Sequence, residues 1–308
     1  MGTNSSIEWT HHTWNPQQGC TPVHTGCVNC YMYRDKRRYG QDPTVVVRSK
    51  PPTFRKVLSP EWRSGQRVFV CSWSDFYHPA ADGWRPEAWD LMARRPDLRY
   101  IIPTKRPERI VEHLPDWWAG QDNFIHLASV SDQPSARWMV PPLLRVQGLR
   151  GLSVEPLVAQ LDLVTPGLIG YEWTCPECGD GTTSHLDEFD TSGGARPLRT
   201  RTEPWCPSCR EPDADGPGRD TLVDLGRRGL DWVIVGGESG PNARAMRAEW
   251  ADSLVTQARS ASVPVFVKQM GAVYGRRVGV DPMKGGGLAI PGHLRFSQFP
   301  AGWSEMGA

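Results

Sequence analysis

The stretch from Gly19 to Arg38, GCTPVHTGCVNCYMYRDKRR, crowds together Cys20, Cys27 and Cys30, three of the chain's eight cysteines. Three thiols cannot all pair with one another as disulfides, so a shared metal is the chemistry this spacing offers. Three thiolates can hold an iron–sulfur cube at three corners and leave one iron open, whereas structural clusters usually take four cysteines. An open iron is what a cluster needs to bind and cleave a small molecule. The same residues admit two blander sites: a Cys3His zinc site completed by His24, His11 or His12, and a purely structural cluster. Cys71 lies in an apolar run and reads as a small buried hydrophobe.

The remaining four cysteines form Cys175-Pro-Glu-Cys178 and Cys206-Pro-Ser-Cys209. Two CxxC turns of the same C-P-x-C form supply the four sulfurs of a closed tetrahedral site, so a structural Zn2+ is expected there. They sit in a polar, turn-rich stretch over 170–220 that is too long for an ordinary connection, and this is read as an inserted zinc-ribbon-like subdomain.

The elements that must position these groups alternate in type. Apolar strand-like runs open 67–78, 98–107, 123–132, 149–157, 230–240 and 263–271. Helical patterns fall at 86–96, 108–119, 134–146 and 249–261, the third broken by prolines. Strands alternating with helices of this length predict an α/β fold with parallel strands, a partial (β/α)6-type TIM barrel. The barrel is assigned to 1–169 and 221–271, and 272–308 to a C-terminal extension of loops and short strands packed on it. Polar residues follow the apolar runs: Ser72, Ser74 and Asp75; Thr104, Lys105 and Arg106; Ser131 and Asp132; Glu155; Glu238 and Ser239; Lys268 and Gln269. In a parallel barrel these positions form the C-terminal mouth, where active sites gather.

Composition bounds the partners. With 308 residues and a net charge of +1, any basic footprint must be local. No apolar run is long enough to span a membrane and the N-terminus lacks a signal-peptide core, so a cytoplasmic protein without a membrane partner is expected. In that reducing compartment, clustered cysteines are metal ligands more often than disulfides.

The cysteine loop leading into a helix resembles the radical S-adenosylmethionine (radical SAM) superfamily. More closely, IEWTHHTWNPQQGC, GCVNCY, SDFYHP, TKRPER, SVEPL, VIVGGESGPNAR and FVKQMG resemble, in that order, a phage-associated family of unknown function related to it. Six residues separate the first two cysteines where the superfamily's commonest pattern has three, and Asn29 stands where it has an aromatic. The resemblance implies a [4Fe-4S] cluster on Cys20, Cys27 and Cys30, S-adenosyl-L-methionine as cofactor, and an external electron donor. It further implies reductive cleavage of SAM to methionine and a 5′-deoxyadenosyl radical that abstracts hydrogen from substrate. Ser72, Ser74 and Asp75 then stand where the SAM amino group is bound, and Tyr31 where it could cover the adenine or merely pack its helix. Ser153 and Glu155 stand within reach of the ribose, and Gly236 and Gly237 allow close backbone approach beside the acceptor Glu238. Lys105 and Arg106 could bind the SAM carboxylate or a substrate phosphate, or form an exposed basic loop. Asp75, Lys105 and Glu238 are the catalytic candidates.

The substrate is less legible. Basic runs at 34–40 and 195–205, and fourteen tryptophans, admit phosphate contacts and base stacking. A nucleic-acid base or nucleotide, modified or repaired after flipping from its stack, is one substrate class. The competing reading is a non-enzymatic zinc or iron–sulfur protein that binds nucleic acid. It leaves the succession of polar strand ends without a purpose.

Overall fold

The computed structural model describes residues 5–163, 173–174, 181–182, 229–280 and 290–303. Seven strands form one parallel sheet in chain order: β1 (His12–Trp14), β2 (Arg67–Val70), β3 (Arg99–Thr104), β4 (Phe124–Ala128), β5 (Leu149–Val154), β6 (Trp232–Gly236) and β7 (Val265–Gln269). The sheet curls into an open half-barrel. Its first strand is one that the apolar-run reading did not count. His12–Trp14 is three residues long with Thr13 at its centre, too short and polar for a hydrophobic period.

Alternation along each strand sorts the two faces. Val68, Val70, Tyr100, Ile102, Leu152 and Val154 point outward and join one core with α2 (Arg85–Ala93), α3 (Gln133–Leu144) and α4 (Ala248–Ser260), which cover the convex side. Phe69, Ile101, Ile125, Leu127, Ile234 and Phe266 point into the concave side. Trp9 and Trp303 close the lower end of that interior, packed on the same residues. Trp303 Nε1 donates to the carbonyl of Asp122, just before β4. The interior is therefore solid at the N-terminal end of the strands and open at the C-terminal end.

Two helical expectations are corrected. Residues 108–119 form two short 3₁₀ turns, Pro107–Arg109 and Val111–His113, because Pro107 and Pro115 leave too few residues between them for a stable α-helix. The stretch at 134–146 is instead one continuous helix. A capping box starts it, with Ser135 N donating to Asp132 Oδ1 at 2.9 Å, and Pro141 and Pro142 lie within its last turn. The C-terminal extension begins with a helix, α5 (Gly271–Arg277), rather than with loops. Beyond it, Val267 N donates to Phe296 O and Gln298 N to Val265 O, so the tail covers the free edge of β7.

The four cysteines of the two C-P-x-C turns, and with them the zinc-ribbon expectation, lie outside the described residues. An antiparallel pair, Trp173–Thr174 with Gly181–Thr182, brackets the first turn in sequence. No helix of the described residues is long and apolar enough to cross a membrane.

Candidate active site at the barrel mouth

The cysteine loop follows β1 and runs across the open end of the half-barrel into α1 (Tyr31–Arg38). It contains little regular structure, a two-residue strand Gln17–Gln18 paired with Val47–Arg48 and a 3₁₀ turn at Thr25–Cys27, so side chains from the strand ends help to fix it. After β2, Ser74 Oγ donates to Gly19 O at 2.6 Å. After β3, Arg106 donates through NH2 to Thr21 O at 3.0 Å and Thr21 Oγ1 at 2.8 Å, and its NH1 lies 3.8 Å from Cys20 Sγ. After β4, His24 donates to Ser129 O at 2.8 Å, and Thr25 Oγ1 to Asp132 Oδ2 at 2.5 Å. After β6, Glu238 Oε2 accepts from Asn29 Nδ2 at 2.9 Å. Four strand ends thus hold the loop. Much of the polar succession anticipated as ligand contacts serves this purpose instead.

Asp75 and Glu238 show the change of role most clearly. Asp75 is buried and all its acceptor positions are taken. Oδ1 accepts from Thr104 Oγ1 (2.7 Å) and Tyr77 N (3.0 Å), Oδ2 from Lys105 N (2.9 Å) and Arg106 NH1 (3.0 Å). A carboxylate offers about four lone-pair sites, so none is left for an ammonium. Glu238 accepts from Asn29 and three times from Arg244, including Arg244 NH2 at 2.6 Å, and these donors hold its carboxyl below the usual range despite burial. Both are positioning residues for the cysteine loop.

The two glycines before Glu238 are also occupied by protein. A Cβ at Gly236 would lie 2.7 Å from Glu155 Oε1, and one at Gly237 would lie 2.6 Å from Met270 O. The close approach they permit here is of a side chain and of the backbone before α5.

Behind the loop lies a cavity of about 830 Å³. Cys20, Cys27 and Cys30 line it from above, with Tyr31, Ser72 and Ser74 beside them. Tyr31 donates to the Ser72 carbonyl, which ties α1 to the end of β2. Lys105, Ser129, Ser153, Glu155 and Lys268 line it from the strands. Strand alternation predicts this set once the apolar inward residues are known. Ile101 and Pro103 lead to Lys105, Leu127 to Ser129, Gly151 to Ser153 and Glu155, and Phe266 to Lys268. Lys268 Nζ lies 2.9 Å from Glu155 Oε1 across Gly236. Gly236, Gly237 and Glu238 do not line the cavity. Asn15 and Trp73 do; an asparagine in a loop carries no chemical signature of its own, and Trp73 counts in the sequence only among the tryptophans that admit base stacking.

The donor set can be compared with the metal it would hold. Burial, then Asp75, pushes the Cys20 thiol up to about 12 against the opposing pull of the Arg106 guanidinium, and a metal bound there would displace its proton. Among the described residues, no three His, Cys, Asp or Glu side chains are gathered to hold a single metal ion. A mononuclear zinc draws its sulfurs to about 2.3 Å from one point, whereas a cube attaches each thiolate to a different iron. All three thiols line one cavity. His24 does not complete a zinc site. Its Nε2 donates to Ser129 O and its Nδ1 accepts from Gly26 N, and burial lowers its pKa to about 4, so the ring is neutral with both nitrogens engaged. His11 and His12 lie at the opposite end of β1, where Arg67 N donates to His11 Nδ1 and His12 stacks on Trp62.

A half-barrel of parallel strands with a cysteine-bearing loop clamped over its C-terminal end is an α/β scaffold with a mouth site. The family described as protein of unknown function (DUF5131) matches residues 4–295, and the chain belongs to it. No curated protein and no solved structure matches the chain.

Proposed function

We propose that the protein is an iron–sulfur enzyme of the radical SAM type, with a [4Fe-4S] cluster on Cys20, Cys27 and Cys30 and with SAM and a substrate sharing the cavity beneath. The observation that carries this reading is the clamped loop. Three thiols are held by four strand ends over one cavity at the mouth of a parallel half-barrel. A loop that merely bound structural metal would gain its order from the metal and would not need these contacts. The cavity lies near the top of the range for small-molecule sites, enough for two ligands side by side.

Cys20, Cys27 and Cys30 would hold the cluster, which when bound would supply an electron, drawn from an external donor, for reductive cleavage of SAM and hydrogen abstraction from substrate. The chain's own contribution is orientation and shelter. Arg106 and Asn29 fix the loop within the span of the three thiols, at Thr21 just after Cys20 and at Asn29 just before Cys30. Trp9 and Trp303 seal the lower end of the barrel against water. The proposal includes a structural Zn2+ on Cys175, Cys178, Cys206 and Cys209.

The test is anaerobic reconstitution with iron and sulfide, followed by a visible spectrum and assay of SAM under strong reductant. About four irons per chain are expected, together with slow formation of 5′-deoxyadenosine. Cys20→Ala, Cys27→Ala and Cys30→Ala should each abolish both, while Cys71→Ala keeps the iron. Retention of iron by the triple variant, or a well-formed cluster that neither binds nor cleaves SAM, would sink this reading in favour of a metal-bound nucleic-acid-binding protein.

A further inference from the structure

Three residues stand in one row across the cavity wall. Thr104, Ala128 and Leu152 are register partners on β3, β4 and β5, and the next residue along each strand is Lys105, Ser129 and Ser153. All three line the cavity. Their backbones are fixed: Lys105 N donates to Asp75 Oδ2, Ser129 N to Thr104 O at 2.8 Å, and Ser153 is paired with Ile234 on β6. Their functional groups are not engaged. Among the described residues the Lys105 ammonium has no ion-pair or hydrogen-bond partner. The hydroxyls of Ser129 and Ser153, in residues only 6% and 4% exposed, likewise have none. Neither hydroxyl oxygen is sealed away without a partner, so both open onto the cavity, where an occupant can accept from them beside the lone ammonium.

The charges around the row define that occupant. Every other charged group lining the cavity has an opposite charge at hand: Asp75 has Arg106 at 3.0 Å, Glu155 has Lys268 at 2.9 Å, and Arg34 has Asp35 at 3.0 Å. Among the described residues that line the cavity, Lys105 alone is uncompensated. Neighbouring parallel strands lie about 4.8 Å apart, so the row presents three donors over roughly 10 Å with no acceptor charge competing among them.

We propose that Lys105, Ser129 and Ser153 form a seat for a phosphate group, and that the substrate of this cavity is a phosphate ester. The inference rests on the mouth being a ligand site, as the proposed function holds, but not on the metal. A compact ammonium flanked by hydroxyls suits a phosphate whose oxygens point toward several strands. The seat lies on the strand wall, facing the cysteine loop across the cavity. A phosphate held there projects the rest of the substrate toward the thiols.

The test uses titration calorimetry of the purified full chain, metal-free and reconstituted, with inorganic phosphate and with adenosine monophosphate as probes. Saturable binding of one phosphate is expected in both forms. Lys105→Ala should weaken it at least about tenfold, and Ser129→Ala and Ser153→Ala a few-fold each. Arg38→Ala, on the exposed end of α1, should have no effect. Circular dichroism confirms folding of each variant, and Ser153→Ala, which only removes a hydroxyl, carries the test if Lys105→Ala is unstable. Phosphate binding that is absent, or indifferent to Lys105 and the two serines, overturns the seat. So does a loss of SAM affinity in Lys105→Ala with phosphate binding unchanged, which would assign the ammonium to the SAM carboxylate. Failure of cluster assembly leaves the metal-free titration intact and is thereby distinguished from failure of the seat.

Discussion

Replacing Asp75 by Asn should loosen the cysteine loop even though Asp75 touches no cysteine. The carboxylate is 5% exposed and the Arg106 side chain 9%, and their ion pair is made at 3.0 Å. Removing one charge of such a pair strands the other, at a cost of about 3–5 kcal/mol. The amide would also turn an N–H toward donors on one side of the group, where Lys105 N and Arg106 now point. With an unfolding entropy of about 2.1 cal/mol/K per residue, each kcal/mol is worth about 1.5 °C in a chain of this length. A fall in Tm of about 5–8 °C is therefore expected by scanning calorimetry. Arg106 also grips Thr21 and lies beside Cys20, so iron content after reconstitution should fall with Tm. The double variant Asp75→Leu/Arg106→Met removes both charges and should recover much of the stability but not the iron, because packing is restored while the grip on Thr21 is not. If Asp75→Asn melts within a degree of wild type and loads iron fully, the carboxylate is not the keystone of the loop and the argument fails. If it loses only SAM affinity, Asp75 is a ligand contact after all.

Other outcomes follow from the same contacts. Burial lowers the pKa of His126 to about 3, and that of His24 to about 4, against an ordinary value near 6.5. Between those values the unfolded chain binds protons that the folded chain does not, so stability is full above pH 6.5 and falls as pH drops toward 3, by several kcal/mol in all. Denaturant titrations across that window should show the fall, and His126→Phe should flatten it. Gly237→Ala should cost about 1–3 kcal/mol, since its Cβ would meet the Met270 carbonyl, a backbone atom that cannot swing aside. Gly229→Ala, whose Cβ meets nothing within 4 Å, serves as the control in the same melts.

Residue type and order fix a good deal of this protein. The alternation of apolar runs with helical patterns gives a parallel α/β fold, since strands that run the same way need helical crossovers. The positions just after those runs must then gather at one end. Three cysteines on one loop mark where a metal would be sought. What residue order cannot state is how each polar group at that end is used, because that depends on partners far away in sequence. Asp75 and Arg106 meet across 31 positions, Thr25 and Asp132 across 107, and Asn29 and Glu238 across 209. Read along the chain, Asp75, Ser153 and Glu238 are three similar candidates. In the folded protein Asp75 and Glu238 are saturated by donors and hold the cysteine loop, while Ser153 keeps its hydroxyl free in a cavity. The difference is one of hydrogen-bond occupancy, a property of packing rather than of residue type, and only the tertiary structure decides it.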